Sequence, residues 1–318
     1  MNRNHINLAF LGCGFATHLH SKTLAGFKED VHCFYASRNA KKAQDYQQKY
    51  NGHGFFDSYE KAIHTQEIDV VLVATPPVTH LDLTLQALEA GKHVIVEKPP
   101  FLNSKDFEKI QKTAAKSGKQ VFVAENYFYK PALKRLQELI QSGIIGEILF
   151  VHINALKEQK IKDWRGDTSL SGGGALFEGG IHWIDFIANL GLTIKSVKGF
   201  RPGSNEGLEK SILVSLEYEE GAVGSFYYSW ETPSLFKGLR ISKIYGRQGS
   251  ITFESNGIFI FVRGKKKRLI FPGLKDIAGY KGMFTDFITA LREDRQATFT
   301  LELARRDLEL IERIYASI

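Results

Sequence analysis

Residues 6–17 read INLAFLGCGFAT, a short apolar run that leads into a turn with two glycines. The run predicts a buried strand, and the residues after the turn, to about position 27, predict a helix. In this context Gly12 allows the tight turn, and Gly14 lets the backbone approach a diphosphate at the positive end of the helix. Thr17 replaces the third glycine of the motif. The segment therefore predicts a dinucleotide-binding turn, with contacts from Gly12, Gly14, Phe15, Ala16 and Thr17.

Strand and helix signals continue to alternate beyond this turn. Buried strands are expected over 31–36, 69–74, 93–96 and 120–124, and helices over 40–50, 79–90 and 104–117. Continuous apolar strands separated by helices are typical of a parallel sheet that is covered on both faces. Residues 1–125 therefore predict a doubly wound α/β domain that binds a dinucleotide.

The pattern changes after Tyr129. A glycine-rich stretch at 172–174 leads into a helix expected from about Glu178 to Leu190, and strand-like runs then precede two closing helices. These runs recur at roughly 8–14-residue spacing, which is typical of an antiparallel sheet. Residues 126–318 therefore predict an α+β domain for substrate binding and oligomerisation, built on one large, open, mostly antiparallel sheet.

The composition is that of an ordinary globular chain, with 318 residues, 43% of them hydrophobic, and a net charge of +7. The uncharged apolar runs fall short of the ~20 residues that a membrane span needs. The basic run at 265–268 predicts a solvated hairpin tip, and no nucleic-acid partner is expected because aromatic residues do not interleave with it. Cys13 and Cys33 predict neither a disulfide framework nor a metal site. No export signal is recognisable, so a cytoplasmic location is expected.

The end of the second strand predicts which dinucleotide is preferred. An acidic residue there would accept a hydrogen bond from the ribose 2′-hydroxyl of NAD. The chain instead has Ser37 and Arg38, whose hydroxyl and guanidinium suit a 2′-phosphate, and its next carboxylate is Asp45. The expected cofactor is NADP(H), with NAD(H) as the alternative.

Polar residues also cluster where other strands of the sheet should end, which is where ligands bind in such folds. Helix residues Glu178 and His182, spaced i,i+4, are expected on one helix face with Asp185 beyond them. His182 can act as a general acid–base near neutral pH, and Lys98 can polarise a substrate oxygen. The expected cofactor contacts at the strand ends are Thr75, Pro76, Pro77, His80, Glu97 and Lys98.

These motifs together resemble the Gfo/Idh/MocA oxidoreductases, the glucose–fructose oxidoreductase and inositol dehydrogenase family. The matching segments run in order along nearly the whole chain: Gly12-x-Gly14 with His20, Ala74-Thr75-Pro76-Pro77, Glu97-Lys98-Pro99, Gly172-Gly173-Gly174-Ala175, Glu178-x-Gly180-x-His182-x-x-Asp185 and Tyr245-Gly246-x-x-Gly249. The resemblance implies an N-terminal Rossmann domain, a C-terminal α+β domain whose sheet often supports homodimers or homotetramers, and hydride transfer to or from the carbonyl or secondary alcohol of a sugar, a cyclitol or a related small molecule.

The resemblance also implies roles for individual residues. Lys98 falls on the family's catalytic lysine and contacts the substrate oxygen, while His182 falls on its catalytic histidine. Glu178 occupies the position of the family's aspartate, with one more methylene, and Glu97 lies by the nicotinamide ribose. The catalytic set is therefore Lys98, His182 and Glu178, and for Asp185 a structural role is an equal alternative.

Aromatic and guanidinium groups suit hydroxylated rings, so Tyr127, Trp164 and Arg165 are expected, with Lys98 and His182, to contact substrate, and Tyr129 is a further candidate. Ordinary packing is the alternative for these aromatic residues. Two rival functions use the same scaffold. One is a glycosidase that keeps NAD bound and cleaves by transient oxidation and elimination, and the other is a non-catalytic dinucleotide sensor.

Overall fold

The computed structural model describes residues 5–159, 167–203, 207–233 and 238–318. The chain forms two compact units. The first combines the chain up to Ala124 with Met283–Arg305, and the second combines Glu125–Gly282 with Arg306–Ile318. None of the helices in the described ranges has both the length and the apolar character needed to cross a membrane.

The first unit contains a six-stranded parallel sheet in the order β3-β2-β1-β4-β5-β6. Its strands are β1 (Ile6–Leu11), β2 (Val31–Ala36), β3 (Gly54–Phe56), β4 (Val70–Val73), β5 (His93–Val96) and β6 (Val121–Val123). The connecting helices are α1 (Phe15–Leu24), α2 (Ala40–Lys49), α3 (Tyr59–His64), α4 (His80–Glu89) and α5 (Asp106–Ser117). Every residue of β1, β4 and β5 is buried, as expected for strands covered on both faces. The predicted doubly wound fold is confirmed.

The topology of this sheet places the glycine turn at its switch point. The chain moves outward from β1 to β2 and β3, and then returns to the other side of β1 with β4. The carboxyl ends of β1 and β4 are therefore adjacent and followed by connections that leave in opposite directions. Ligands of doubly wound sheets bind in the crevice that this arrangement opens.

Part of the C-terminal region belongs to the first unit. A single domain boundary near residue 125 would place this segment in the second unit. The helix α9 (Tyr280–Glu293) carries Phe284 and Phe287 on its buried face. The Phe287 ring lies 5.0 Å from the Phe122 ring, between centroids, and Phe284 meets His20 edge to face at 5.3 Å. Burial of these two rings explains why this segment packs with the first unit.

The second unit contains an eight-stranded sheet in the order β14-β13-β12-β11-β7-β10-β9-β8. Its strands are β7 (Ile148–Leu156), β8 (Ile194–Phe200), β9 (Ser211–Tyr218), β10 (Val223–Ser229), β11 (Ile241–Gly246), β12 (Gly249–Glu254), β13 (Ile260–Arg263) and β14 (Lys267–Ile270). Helices α6 (Pro131–Gln141), α7 (Thr168–Ser171) and α8 (Ile181–Ala188) precede most of the strands, and α10 (Leu301–Tyr315) closes the chain. All neighbouring pairs are antiparallel except β7 with β10, so the predicted sheet is confirmed.

Two local features of the second unit bear on the predictions. Residues 264–266 connect β13 to β14, so the basic run does lie at the tip of a hairpin. The helix expected from about Glu178 begins differently, with a π-helical turn over Leu176–Gly180 that leads into α8. Glu178 and His182 therefore lie on either side of a π-to-α junction and not on one regular α-helical face.

Candidate functional site

The turn after β1 needs glycine at two positions for different reasons. Gly12 has a φ of +114°, and a Cβ atom there would lie 2.6 Å from the Ala74 carbonyl oxygen at the end of β4. Gly14 stands at the N-cap of α1, where a Cβ atom would meet nothing within 4 Å. The first glycine thus lets the ends of β1 and β4 approach each other, and the second leaves space beside the amide groups of the first helical turn. This is a cradle that fits the diphosphate of a dinucleotide.

Thr17 stabilises this turn in place of a third glycine. Its side chain is fully buried, and its hydroxyl donates a hydrogen bond of 2.7 Å to the Gly12 carbonyl. The Tyr46 hydroxyl donates to the Gly14 carbonyl at 3.1 Å. Both carbonyl groups are therefore held by side chains, and Thr17 supports the loop from inside. Among the other predicted loop contacts, Phe15 is exposed and Ala16 is half-buried.

Cys13, the residue between the two glycines, is affected by the positive charge of Lys42. Burial raises the pKa of the Cys13 thiol to about 11, and the charge of Lys42 opposes this rise. Cys13 is therefore a neutral packing residue, with its sulfur 3.7 Å from the Ala36 carbonyl oxygen. The effect of Lys42 shows that an ammonium group from α2 lies near the phosphate loop, a feature that the sequence analysis missed.

The segment after β2 presents basic and hydroxyl groups. Ser37 is buried and its Oγ accepts a hydrogen bond from the Asn39 amide at 3.2 Å. Arg38 is exposed, and its guanidinium acts on Tyr59, whose hydroxyl pKa is raised by burial. Asp45, the first carboxylate after β2, lies in α2 with its Oδ1 3.6 Å from the Lys41 ammonium. The groups at the strand end thus suit an additional phosphate.

His80 has main-chain contacts that the sequence analysis did not predict. It is almost completely buried, and its two ring nitrogens lie 2.8 Å from the Thr75 carbonyl oxygen and 2.9 Å from the Pro99 carbonyl oxygen. Burial lowers the pKa of this imidazole. Because both nitrogens contact main-chain carbonyl groups, His80 joins the loop after β4 to the loop after β5. Its cofactor contact stays a prediction, and its ring nitrogens face these carbonyl groups.

The remaining predicted contacts of the first unit lie on these two loops. Thr75 and Pro76 are half-buried and Pro77 is buried; the Thr79 hydroxyl donates to Thr75 Oγ1 at 2.7 Å. After β5, Glu97 contacts His20 through Oε1 and accepts the Lys98 backbone amide at 3.1 Å through Oε2. The Lys98–Pro99 peptide bond is cis. The half-buried Lys98 thus stands at the carboxyl end of a central strand.

In the second unit, His182 lies in a defined polar and aromatic environment. Its Nδ1 is 2.6 Å from Glu125 Oε1, and the same oxygen accepts the Tyr127 backbone amide at 2.9 Å. The Tyr127 ring stacks on the imidazole, with centroids 4.5 Å apart and an angle of 14° between the planes. The structure thus brings two predicted residues, His182 and Tyr127, together through Glu125, which the sequence analysis did not identify.

The Tyr127 ring also contacts a buried cation. The Lys130 ammonium lies 4.0 Å from the ring centroid, a cation–π contact, and the Lys130 side chain is almost fully buried. Burial and the charge of Arg240 lower the pKa of Lys130 to about 8, while burial raises the pKa of the Tyr127 hydroxyl to about 12. Since the stacked imidazole covers one face of the ring, Lys130 lies over the other.

Glu178 is buried in the π-helical turn and faces β10. Its backbone amide donates to the Gly174 carbonyl at 3.0 Å. Burial, and then the charge of Glu178, raise the pKa of the Tyr228 hydroxyl. The next residue, Gly179, packs so closely on this hydroxyl that a Cβ atom would lie 2.1 Å from it. The turn therefore needs a glycine after Glu178 in order to seat the chain against Tyr228.

Asp185 belongs to a buried pair of carboxyl groups. Asp185 and Asp307 are both essentially inaccessible to solvent, and the charge of Asp307 acts on the carboxyl group of Asp185. Asn189 Nδ2 donates to Asp185 Oδ1, and Arg306 Nη2 donates to Asp307 Oδ1, each at 2.7 Å. Burial, and then the charge of Asp307, raise the pKa of Asp185 well above its usual range; burial raises the pKa of Asp307 to about 7. Both carboxyl groups are therefore held in the protein interior by side-chain amide and guanidinium donors, which is compatible with the structural alternative for Asp185.

Two predicted substrate contacts, Trp164 and Arg165, lie outside the described residues. Tyr129, the further candidate, is half-buried and meets the Phe128 ring edge to face at 5.2 Å. A signal for Glu125 was present in the sequence. It follows β6 closely, as Glu97 follows β5, and the ends of such strands are where functional carboxylates collect.

Comparison with known proteins identifies the family. The chain matches the model of the oxidoreductase family with an NAD-binding Rossmann fold over residues 6–125 and that of the GFO/IDH/MocA C-terminal domain over residues 133–252. The chain belongs to the Gfo/Idh/MocA oxidoreductases. The family predicted by resemblance is therefore confirmed, and the protein is an oxidoreductase whose first unit has an NAD-binding fold.

Individual members of this family are similar over different shares of the chain. A D-glucoside 3-dehydrogenase of Escherichia coli is 35% identical over 45% of this chain and 41% of its own length. A levoglucosan dehydrogenase of Pseudarthrobacter phenanthrenivorans is 23% identical over 88% of this chain and 80% of its own. A solved levoglucosan dehydrogenase structure, in complex with NADH and levoglucosan, has a TM-score of 0.85 at 21% identity and covers 98% of this chain and 97% of that chain. The similarity to this solved structure shows that the two chains share a fold.

Proposed function

We propose that this family member transfers hydride between NADP(H) and a carbonyl or secondary alcohol of a sugar, a cyclitol or a related small molecule. The observation that carries the proposal is the glycine turn, where Gly12 lies against Ala74 and Gly14 leaves space at the start of α1. Hydroxyl and guanidinium groups follow β2, where NAD-dependent enzymes place a carboxylate. When bound, the nicotinamide supplies or accepts the hydride, and side chains of this chain handle the proton.

The preference for the phosphorylated cofactor rests on Ser37 and Arg38. A guanidinium forms strong charge-assisted hydrogen bonds with a phosphate, and no acidic residue lies between the end of β2 and Asp45 to repel it. The ammonium of Lys42, which acts on Cys13, adds positive charge at the same edge of the sheet. The related levoglucosan dehydrogenase was solved with NADH, so NAD(H) is the competing cofactor that binding measurements must include.

Three side chains are proposed to carry the catalytic roles implied by the resemblance. Lys98 donates a hydrogen bond to the reacting oxygen, and His182 takes up or gives back the proton. Glu178 orients or charges this pair of side chains. Glu178 is only 7% exposed, in the turn that precedes His182. Oxidation of the substrate would thus transfer one hydride to the nicotinamide and one proton to His182, and reduction would return both.

The experiment is a panel of aldoses, inositols, glucosides and anhydrosugars, assayed with both cofactors at the nicotinamide absorbance. The panel is chosen because the similar proteins include dehydrogenases of a glucoside and of levoglucosan. We expect substrate-dependent turnover of NADP(H) in at least one class. Cleavage of a glycoside without net cofactor turnover would favour the redox-elimination alternative, and binding without any reaction would favour a sensor.

The Lys98→Met variant tests the assignment of the catalytic lysine. Loss of the hydrogen bond to the reacting oxygen should lower kcat about 100-fold or more, because such donors act mainly in the transition state. The dissociation constant for NADPH should stay within about twofold of the wild-type value. Wild-type kcat in this variant would refute the role of Lys98.

The large sheet is proposed to carry the contact between subunits in a homodimer or homotetramer. Phe150 on β7 pairs in register with Val223 on β10 and with Tyr245 on β11, and the three side chains are 54%, 45% and 41% exposed. Contiguous exposed apolar side chains of this kind mark contact surfaces. We expect sedimentation to give an oligomer that Phe150→Glu dissociates, and a wild-type monomer at micromolar concentration would contradict this.

A further inference from the structure

We propose that Glu125 is a positioning residue for His182. It holds the proton of Nδ1 and so makes Nε2 the nitrogen that exchanges a proton with the substrate. This inference rests on the proposed function, because it takes His182 to be the general acid–base of the hydride transfer. It adds a residue from the segment after β6 to the set of Lys98, His182 and Glu178.

The hydrogen bonds at Glu125 determine which nitrogen of His182 carries the proton. Oε1 lies 2.6 Å from Nδ1 and already accepts the Tyr127 backbone amide at 2.9 Å. An ionised carboxylate oxygen can only accept, so with Glu125 ionised Nδ1 is the donor, and a neutral imidazole then has its lone pair on Nε2. Histidines that act on a substrate or a metal commonly have their second nitrogen fixed by a carboxylate in this way.

The same segment also fixes the plane of the ring. Tyr127, two residues after Glu125, stacks on the imidazole at 4.5 Å, and Lys130 lies on the far side of the Tyr127 ring at 4.0 Å. A half-turn of the imidazole would exchange Nδ1 with a carbon atom and break the contact with Glu125. One short segment therefore sets both the orientation and the tautomer of His182, as pre-organised catalysis requires.

Glu125 lies among other buried charged groups. Burial raises the pKa of both Asp185 and Asp307, and the charge of Glu125 acts in the same direction on both. Lys130 is the cation that lies over the Tyr127 ring. Burial and the charge of Arg240 lower its pKa, while the charges of Glu254 and Glu125 act in the opposite direction. Glu125 is thus an almost fully buried carboxylate, only 2% exposed, that directs its Oε1 to the catalytic histidine.

The test compares Glu125→Gln and Glu125→Asp with Asp307→Asn, a near-isosteric change of another buried carboxyl group in the same unit. In steady-state kinetics we expect Glu125→Gln to lower kcat about 30- to 100-fold, with the substrate KM and the NADPH dissociation constant within about twofold. Glu125→Asp should recover part of the loss, and Asp307→Asn should keep wild-type kcat. Equal effects of Glu125→Gln and Asp307→Asn would mean a merely structural role and would overturn the proposal.

A spectroscopic readout does not depend on turnover. In protein with 15N-labelled histidine, the Nδ1 proton of His182 should give a downfield signal that disappears in His182→Gln and moves upfield in Glu125→Gln. An unchanged chemical shift of this proton in Glu125→Gln would contradict the proposed contact. If no substrate of the panel reacts with the wild type, the proposed function fails, while this signal still decides whether Glu125 holds the Nδ1 proton.

Discussion

Replacing Asp307 by asparagine should change how the stability of the second unit depends on pH. In the wild type, both Asp307 and Asp185 are buried, and burial raises the pKa of Asp307 from 3.8 to about 7. In Asp307→Asn, the amide oxygen can still accept a hydrogen bond from Arg306, as Asp307 Oδ1 does. The variant thus keeps the shape of the side chain but removes its titration.

The magnitude follows from linkage between protonation and folding. Because the folded pKa is raised, the folded state binds the proton more tightly, and the stabilisation is present at low pH and is lost as the pH rises from about 4 to about 7. A difference of about three pH units between the folded and unfolded pKa corresponds to about 4 kcal/mol in total, of which about 3 kcal/mol is lost between pH 5 and pH 8. The amide introduced by Asp307→Asn does not titrate, so the variant should gain about that amount relative to wild type over this range.

The assay is urea unfolding at pH 5, 6, 7 and 8, followed by tryptophan fluorescence. Trp183 and Trp230 are buried in the second unit, so their signal reports the unit that contains Asp307. Asp45→Asn, a change of an exposed carboxylate in the first unit, is the control. Parallel curves of unfolding free energy against pH for Asp307→Asn and wild type would refute a raised pKa of Asp307 in the folded state.

Two further predictions concern the first unit. Arg38→Ala should weaken NADPH binding about 10- to 100-fold, the loss of a charge-assisted phosphate contact, and leave NADH binding unchanged. Lys41→Ala, three residues further along in α2, should leave the binding of both cofactors unchanged. An equal loss for both cofactors in Arg38→Ala, measured by titration calorimetry, would contradict the assignment. His93 accepts the Gln120 amide at 3.2 Å through Nδ1, and burial lowers its pKa to about 4. Because the neutral form is favoured in the fold, about 2 kcal/mol of stability should be lost as the pH falls from 7 to 5. His93→Gln should lose less than this in chemical unfolding followed by circular dichroism, and an unchanged pH dependence would count against the prediction.

The features that the sequence predicted are those encoded by neighbouring residues. Gly12 and Gly14 follow an apolar strand and precede a helix, and this local order determines both the turn and its place at the switch point of the sheet. The eight-stranded sheet could be predicted because the spacing of its strands is repeated along the chain. The resemblance then supplied Lys98 and His182, whose motifs are also short and continuous.

The features that the sequence did not predict depend on contacts between distant segments. Glu125 acts on a histidine 57 residues further along the chain. Burial, and then the charge of Asp307 on another helix, raise the pKa of Asp185. His80 was assigned to the cofactor because it follows the Thr75-Pro76-Pro77 motif, and only the fold shows that a second loop covers its other nitrogen. Similarly, the π-helical turn at Glu178 depends on the fit between Gly179 and the Tyr228 hydroxyl.

The proposed cofactor site holds a diphosphate at the start of α1 and the adenosine phosphate of NADP(H) beside Ser37 and Arg38. Titration calorimetry of the wild-type chain with NADPH and with NADH measures both parts at once. We predict binding of both cofactors, with the dissociation constant for NADPH at least about tenfold lower. Absence of heat with either cofactor would contradict the site itself, and equal or tighter binding of NADH would contradict the role of the serine and the arginine.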